Sequence, residues 1–229
     1  MTRAEAVTES EVLDALRGVL DPELDESLVD LGFVTSVAVT GGEVRVGLRL
    51  PTYWCSPNFS WLMASDARQA VLALPGVDGV TVALEDHHAG EEISSGVSGG
   101  RTFEETFGEQ ATEGLDDLRR LFRRKAFVVR QERLLRSLGQ GLAAGLTVGD
   151  LPDTVETHAY LAVREEIGLD CTPTAPAITD PTGRAVEDVE GHLRRIGLMR
   201  VSMEGNAMLC RALLEARYGS ASGKEGVAS

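Results

Sequence analysis

Apolar residues between Thr8 and Leu20 recur at helical spacing (Val12, Leu13, Leu16, Leu20) behind a T-x-x-E capping box made by Thr8 and Glu11. This predicts a first helix running to about Leu20. Asp21-Pro22-Glu23 ends it, because proline cannot continue helical pairing and biases the preceding residue away from the α region. Phe33 to Thr40 and Glu43 to Leu50 are rich in Val and Leu and predict two strands, joined by Gly41-Gly42 as a two-residue hairpin. After Pro51 to Cys55, Ser56 stands where a helix cap belongs and Pro57 at the first helical position. Phe59, Leu62, Met63, Ala67, Ala70, Val71 and Leu74 form the buried face of that helix, and Pro75-Gly76 ends it. Val77 to Leu84 alternates well enough for a third strand, with a turn at Asp78-Gly79. The predicted order is α-β-β-α-β.

Asp86 to Gly100 is polar and glycine-rich, and it reads as a linker or functional loop with nothing in it to build a core. A domain boundary is therefore expected near Gly100. Beyond it the period is helical: a long helix from Leu115 toward Leu138, then shorter ones over Val155 to Ile167, Val186 to Ile196 and Glu204 to Tyr218. Cys171 to Gly183, with Pro173, Pro176 and Pro181, reads as a loop, and Gly219 to Ser229 as a disordered tail. The expected class is α+β. An α/β domain over residues 1–88, with a mixed three-stranded sheet and helices, is followed by a linker at 89–100, a mostly helical domain at 101–218 and a tail at 219–229.

Composition narrows the function. The 229 residues are 43% hydrophobic, enough to bury a core in two small domains. A formal net charge of −14 argues against nucleic acid and anionic membranes as partners, since the summed field repels phosphate. The charge is uneven: residues 119–136 carry eight basic side chains and one acidic. Three widely spaced cysteines, Cys55, Cys171 and Cys210, do not form a disulfide framework and fit the reducing cytoplasm. The acidic start lacks the apolar stretch of a secretory signal. The most apolar window, Leu138 to Leu151, is shorter than the ~20 residues of a membrane span. Twenty arginines against two lysines point to a GC-rich bacterial genome. P-loop and G-x-G-x-x-G patterns do not occur, so the expectation is a protein that is not an enzyme.

The order and spacing of Asp21-Pro22-Glu23, Leu28-Val29-Asp30-Leu31-Gly32-Phe33-Val34, the hairpin, Cys55-Ser56-Pro57 and Leu74-Pro75-Gly76-Val77 resemble the SufT/PaaD-type metal-sulfur cluster assembly domain. The same domain occurs in eukaryotic cytosolic iron-sulfur assembly factors. The resemblance covers about residues 9–86. It implies a small α/β domain that assembles iron-sulfur clusters, or delivers clusters or iron, to client metalloenzymes together with the assembly machinery. It implies no turnover chemistry. Family members usually carry a Cys-Pro pair, whereas here Ser56 separates Cys55 from Pro57, and the strand ends Leu50-Pro51-Thr52-Tyr53-Trp54. The metal-site geometry is expected to differ accordingly. The C-terminal part resembles accessory proteins encoded with bacterial soluble di-iron monooxygenases, which would make such an enzyme the client.

Cys55 precedes a predicted helix N-terminus, where unpaired N–H groups and the macrodipole favour an anion by roughly 0.3 to 1 kcal/mol. Thiolate binds soft metals and iron-sulfur clusters; the plainer alternative is a small buried hydrophobe. One cysteine cannot hold a cluster that needs about four ligands. A homodimer presenting two Cys55 thiolates, a small thiol, or His87, His88, Glu91 and Glu92 folding back would complete the sphere, the last suiting mononuclear iron or zinc. Adjacent residues of an extended segment face opposite ways, so at most one of His87 and His88 is expected to join Cys55, and the segment reads equally well as a solvated loop. Asp21, Glu23, Asp30 and Thr52 stand at motif positions and either orient the ligand, contact a client or cap turns. Tyr53, Trp54, Phe59 and Trp61 either shield a cluster, grip a partner or fill the core. The basic helix carrying Arg119, Arg120, Arg123 and Arg124 either docks an acidic partner or forms a solvated face. His158, His192, Cys171 and Cys210 share no metal spacing and are read as structural. Two readings lead: a transient carrier of iron or an iron-sulfur cluster, and a metal-free adaptor or folding chaperone for an apo-client. A metal-dependent enzyme ranks third.

Overall fold

A computed structural model describes residues 7–108, 114–139 and 145–219. The chain divides into two compact units, Met1–Leu115 with Asn206–Ser229, and Asp116–Gly205. The class is the expected α+β: a mixed three-stranded sheet with helices in the N-terminal part, and helices in the C-terminal part.

In the first unit, α1 (Glu9–Arg17) starts at the expected capping box: the Thr8 N–H donates to Glu11 Oε2 (2.8 Å) and the Glu11 N–H to Thr8 Oγ1 (3.3 Å). It stops short of Leu20, because Leu20–Asp21 (β1) pairs antiparallel with Glu26–Ser27 (β2) in a small ribbon that sequence periodicity did not reveal. β3 (Val34–Thr40) and β4 (Glu43–Arg49) form the hairpin, with Thr40 opposite Glu43 and Gly41 supplying the positive φ of 64° that the tight turn needs. α2 (Pro57–Leu72) crosses over, so β5 (Gly79–Glu85) lies parallel to β4 and the sheet order is β3-β4-β5. Ser56 occupies the cap position of α2, but its side chain makes no capping bond. Val44, Val46 and Leu48 of β4 and Val80, Val82 and Leu84 of β5 face inward. They meet Val12 and Leu16 of α1 and Trp61, Ala64, Ala67 and Val71 of α2 in one core.

Residues 89–100, expected to be a linker, instead contain a packed helix, α3 (Gly90–Ser98), with Ile93 fully buried. Its composition misleads because the serines and glycines have structural uses. β5 is an edge strand, and Ser94 Oγ accepts the Leu84 N–H (2.8 Å) while Ser98 Oγ accepts that of Val82 (3.0 Å), so the helix seals the open edge. Gly96 lies so close to Trp61 that a Cβ there would sit 2.7 Å from the indole ring. The boundary expected near Gly100 therefore falls at Leu115. Before it comes α4 (Phe103–Phe107), whose two phenylalanines meet the Trp61 ring edge-on at 5.7 and 6.0 Å.

The second unit holds α5 (Leu115–Ser137) from Asp116 on, a 3-10 turn at Val148–Asp150, α6 (Val155–Glu166) and the first part of α7 (Val189–Tyr218). α7 is one helix where two were expected. No proline interrupts it, and Arg200, between the two predicted segments, is tied to Glu204 (2.5 Å) and to buried Glu132 of α5 (2.9 Å). Arg164, 1% exposed, orders the proline-rich loop by donating to the carbonyls of Asp170 (2.6 Å), Pro176 (3.0 Å) and Ala177 (3.2 Å). Buried His192 donates through Nε2 to Gln131 Oε1 (2.6 Å), a structural role. Among the described residues no helix is long and apolar enough to cross a membrane. Residues 140–144 of the apolar window and 220–229 of the predicted tail lie outside the described residues.

Ile93→Ala distinguishes a core helix from a linker. We expect it to lower stability by about 2–5 kcal/mol, read as a lower urea midpoint, whereas a linker residue would change little.

Candidate functional site

Cys55 lies in the turn between β4 and α2, half-buried, with its Sγ 3.3 Å from Thr52 Oγ1. His87, 7% exposed, fixes that turn from the other side. The Ala89 N–H donates to His87 Nδ1 (3.1 Å), so Nε2 carries the proton. It donates to the Cys55 carbonyl (2.9 Å), with Ser60 Oγ 3.1 Å away; that hydroxyl in turn donates to the Ser56 carbonyl (2.9 Å). Burial holds the imidazole pKa below its ordinary value, in keeping with the neutral ring the network requires.

The thiol opens onto a cavity of about 260 Å³ within the first unit. Thr52, Cys55, Ser56, Phe59 and Met63 line one part, Asp21 at the end of β1 with Glu23 and Leu24 of the β1–β2 turn another, and Asn206, Leu209, Cys210 and Leu213 of α7 a third. The α7 segment is anchored in this unit by Arg211 on Glu26, by Arg217 on Asp86 (2.7 Å) and by the Tyr218 hydroxyl donating to Asp86. The Arg49 guanidinium lies over the Tyr218 ring at 4.5 Å.

Asp21 is 8% exposed, and its Oδ1 accepts the N–H groups of Glu23 (2.8 Å) and Leu24 (2.9 Å). Burial pushes its pKa up to about 6; the two N–H bonds oppose this, and Glu23 and Glu26 add to it. Burial likewise pushes the Cys210 thiol up to about 11, with Asp21, Cys55 and Glu23 contributing negative charge and Arg211 opposing.

The fold thus gathers Asp21, Glu23, Thr52 and Cys55 from the motif positions. It does not bring in the others. Both ring nitrogens of His87 are engaged within the protein, so in this conformation the ring offers no lone pair to a metal. His88 is exposed and stacks on Trp54 (5.2 Å), beside Tyr53, while Glu91 is exposed in the first turn of α3 and Asp30 is exposed beyond β2. Among the described residues no three His, Cys, Asp or Glu side chains are placed to hold a metal ion. In the second unit Arg123 pairs with Glu166 (2.7 Å) and Arg120 with Asp117, while Arg119 is half-buried and Arg124 exposed. Cys210, read from sequence as structural, packs against the core and also lines this cavity. Its spacing with Ala207 and Leu214 puts all three on one helical face.

Fold and site together define a small α+β module that presents a thiol beside carboxylates. Residues 9–84 match the family described as iron-sulfur cluster assembly protein. An iron-sulfur cluster carrier protein of Synechocystis is 42% identical over 76 residues, which are 33% of this chain and 21% of the relative. An uncharacterized protein of Methanocaldococcus jannaschii is 36% identical over 89 residues, 38% of this chain and 92% of the relative. Through this segment the chain belongs to the iron-sulfur cluster assembly protein family. It spans only 21% of the length of the Synechocystis carrier.

The Asp21 shift has a definite sign. Below about pH 4 folded and unfolded chains both hold the proton; between about pH 4 and 6 only the folded chain keeps it, so this carboxyl makes stability fall as pH rises through that window. Asp21→Asn keeps an acceptor for the two N–H groups without the charge. Relative to wild type, it is expected to gain on the order of 3 kcal/mol between pH 4 and 7 in urea titrations; parallel profiles would contradict the burial argument.

Proposed function

We propose that this chain is a non-catalytic cytoplasmic accessory factor that carries or assembles an iron-sulfur cluster, or iron, for a client metalloenzyme, with Cys55 as the thiol that holds the cargo. The observation that carries this reading is the position of Cys55. It lies within the segment that matches the family, half-exposed to a cavity with two carboxylates, on a turn that His87 fixes from behind. Family membership and the name of the Synechocystis relative support cluster work, and three free cysteines support a reducing compartment. The finer proposal, a bacterial di-iron monooxygenase as client and the assembly machinery as donor, rests on the resemblance of the helical part alone. Zinc is a second candidate cargo, because thiolate binds it as readily.

One observation favours a second reading. Trp54 is 75% exposed and, with Tyr53 and His88, forms an exposed aromatic cluster on the Cys55 turn. Such rings anchor protein partners, so a metal-free adaptor or folding chaperone that grips an apo-client there would use the same surface.

Anaerobic iron and acid-labile sulfide analysis with an absorption spectrum, on wild type beside Cys55→Ala, separates the two. A carrier shows iron with sulfide that the variant loses. Iron or zinc without sulfide identifies a mononuclear site, and a wild type that binds no metal after reconstitution leaves the adaptor.

A further inference from the structure

One thiol is too few for a cluster, and the imidazole nearest to Cys55 in the fold is engaged in the turn. The cavity offers another sulfur. Cys210, brought in by α7 from 155 positions along the chain, lines the same cavity as Cys55. Among the described residues of the lining Asp21 and Glu23 are the charged side chains, so it is anionic and favours a cation. The α7 segment is fastened just after Cys210, by Arg211 to Glu26 and by Arg217 to Asp86. This anchoring gives the second thiol a defined position.

We propose that Cys210 is the second sulfur ligand of the cargo site, so that a single chain presents two thiolates to a thiophilic cation or cluster, with no second copy needed. The inference rests on the reading of Cys55 as the cargo thiol. Coordination changes no oxidation state: each thiol gives its proton to solvent as its sulfur–metal bond forms. Two sulfurs leave the other coordination positions to the cargo's own sulfide, a small thiol or the client.

Cadmium(II) is the probe, because its sulfur-to-metal charge-transfer absorption scales with the number of bound thiolates and its binding does not require cluster chemistry. The full chain carries Cys171→Ala throughout, removing the exposed third thiol. In that background one cadmium should bind per monomeric chain. Cys210→Ala, Cys210→Ser and Cys55→Ala should each halve the absorption and weaken binding about tenfold or more, since a direct ligand is worth at least as much as a supporting one. Circular dichroism checks the fold, and the serine variant preserves size. Unchanged absorption and affinity in both folded Cys210 variants overturns the proposal, as does a complex that forms only with two chains per cadmium. If cadmium behaves as expected but wild type takes up no iron or sulfide, the carrier reading fails while the two-thiol site stands. If iron and sulfide bind to wild type and are kept undiminished by Cys210→Ser, the carrier reading stands and this inference fails.

Discussion

The His87 imidazole is the joint on which the site depends. It accepts from the Ala89 N–H on its own segment and donates to the Cys55 carbonyl across the fold, so the turn after β4 and the turn after β5 are held as one piece. These turns follow parallel neighbouring strands, and side chains at the ends of such strands converge in the way that suits a site. The ring is buried and the bond partly so, where an unpaired ring nitrogen would be costly, so the clamp gains strength from its surroundings. The cysteine backbone is fixed and its sulfur left half-exposed. That combination suits reversible binding of a soft cargo.

The same segment depends on α3. The helix occupies the free edge of β5, and its serine hydroxyls replace the strand partner that the edge lacks. Ile93 and Val97 enter the core beside them, and Gly96 leaves room for the edge of the Trp61 ring. A short polar-looking stretch therefore completes the sheet and sets where Asp86 to Ala89 must turn. The cysteine turn is positioned from both sides, by α2 on one and by this sealed edge on the other.

Electrostatics favours a cation in the cavity. With no cargo bound, burial keeps Asp21 and Cys210 nearer to their neutral forms, and neighbouring negative charges push in the same direction. A positive cargo reverses that preference, because its charge stabilises the ionised donors. If Cys55 and Cys210 hold the cargo as proposed, loading releases protons and a drop in pH favours unloading.

Much of the first unit was legible in local sequence. The capping box of Thr8 and Glu11, the Gly41-Gly42 turn, Pro57 at the start of α2 and the alternation of β4 and β5 are each set by neighbours a few residues away, and the structure has them where the pattern put them. The motif order also led to Cys55, Thr52, Asp21 and Glu23, which do share one cavity. What the pattern could not supply depended on partners distant in sequence. Ser94 and Ser98 look like linker residues until an open strand edge stands beside them, and His87 looks like a ligand until a carbonyl 32 residues away accepts its N–H. Cys210 looks like one more buried thiol until α7 brings it to the cavity of Cys55. By itself the sequence determined the elements, their order and the chemical types available, because those follow from local stereochemistry and periodicity. The tertiary structure alone decided which donors face a shared space and which are engaged in holding the fold, because that depends on hydrogen bonds and packing between segments that no local pattern encodes.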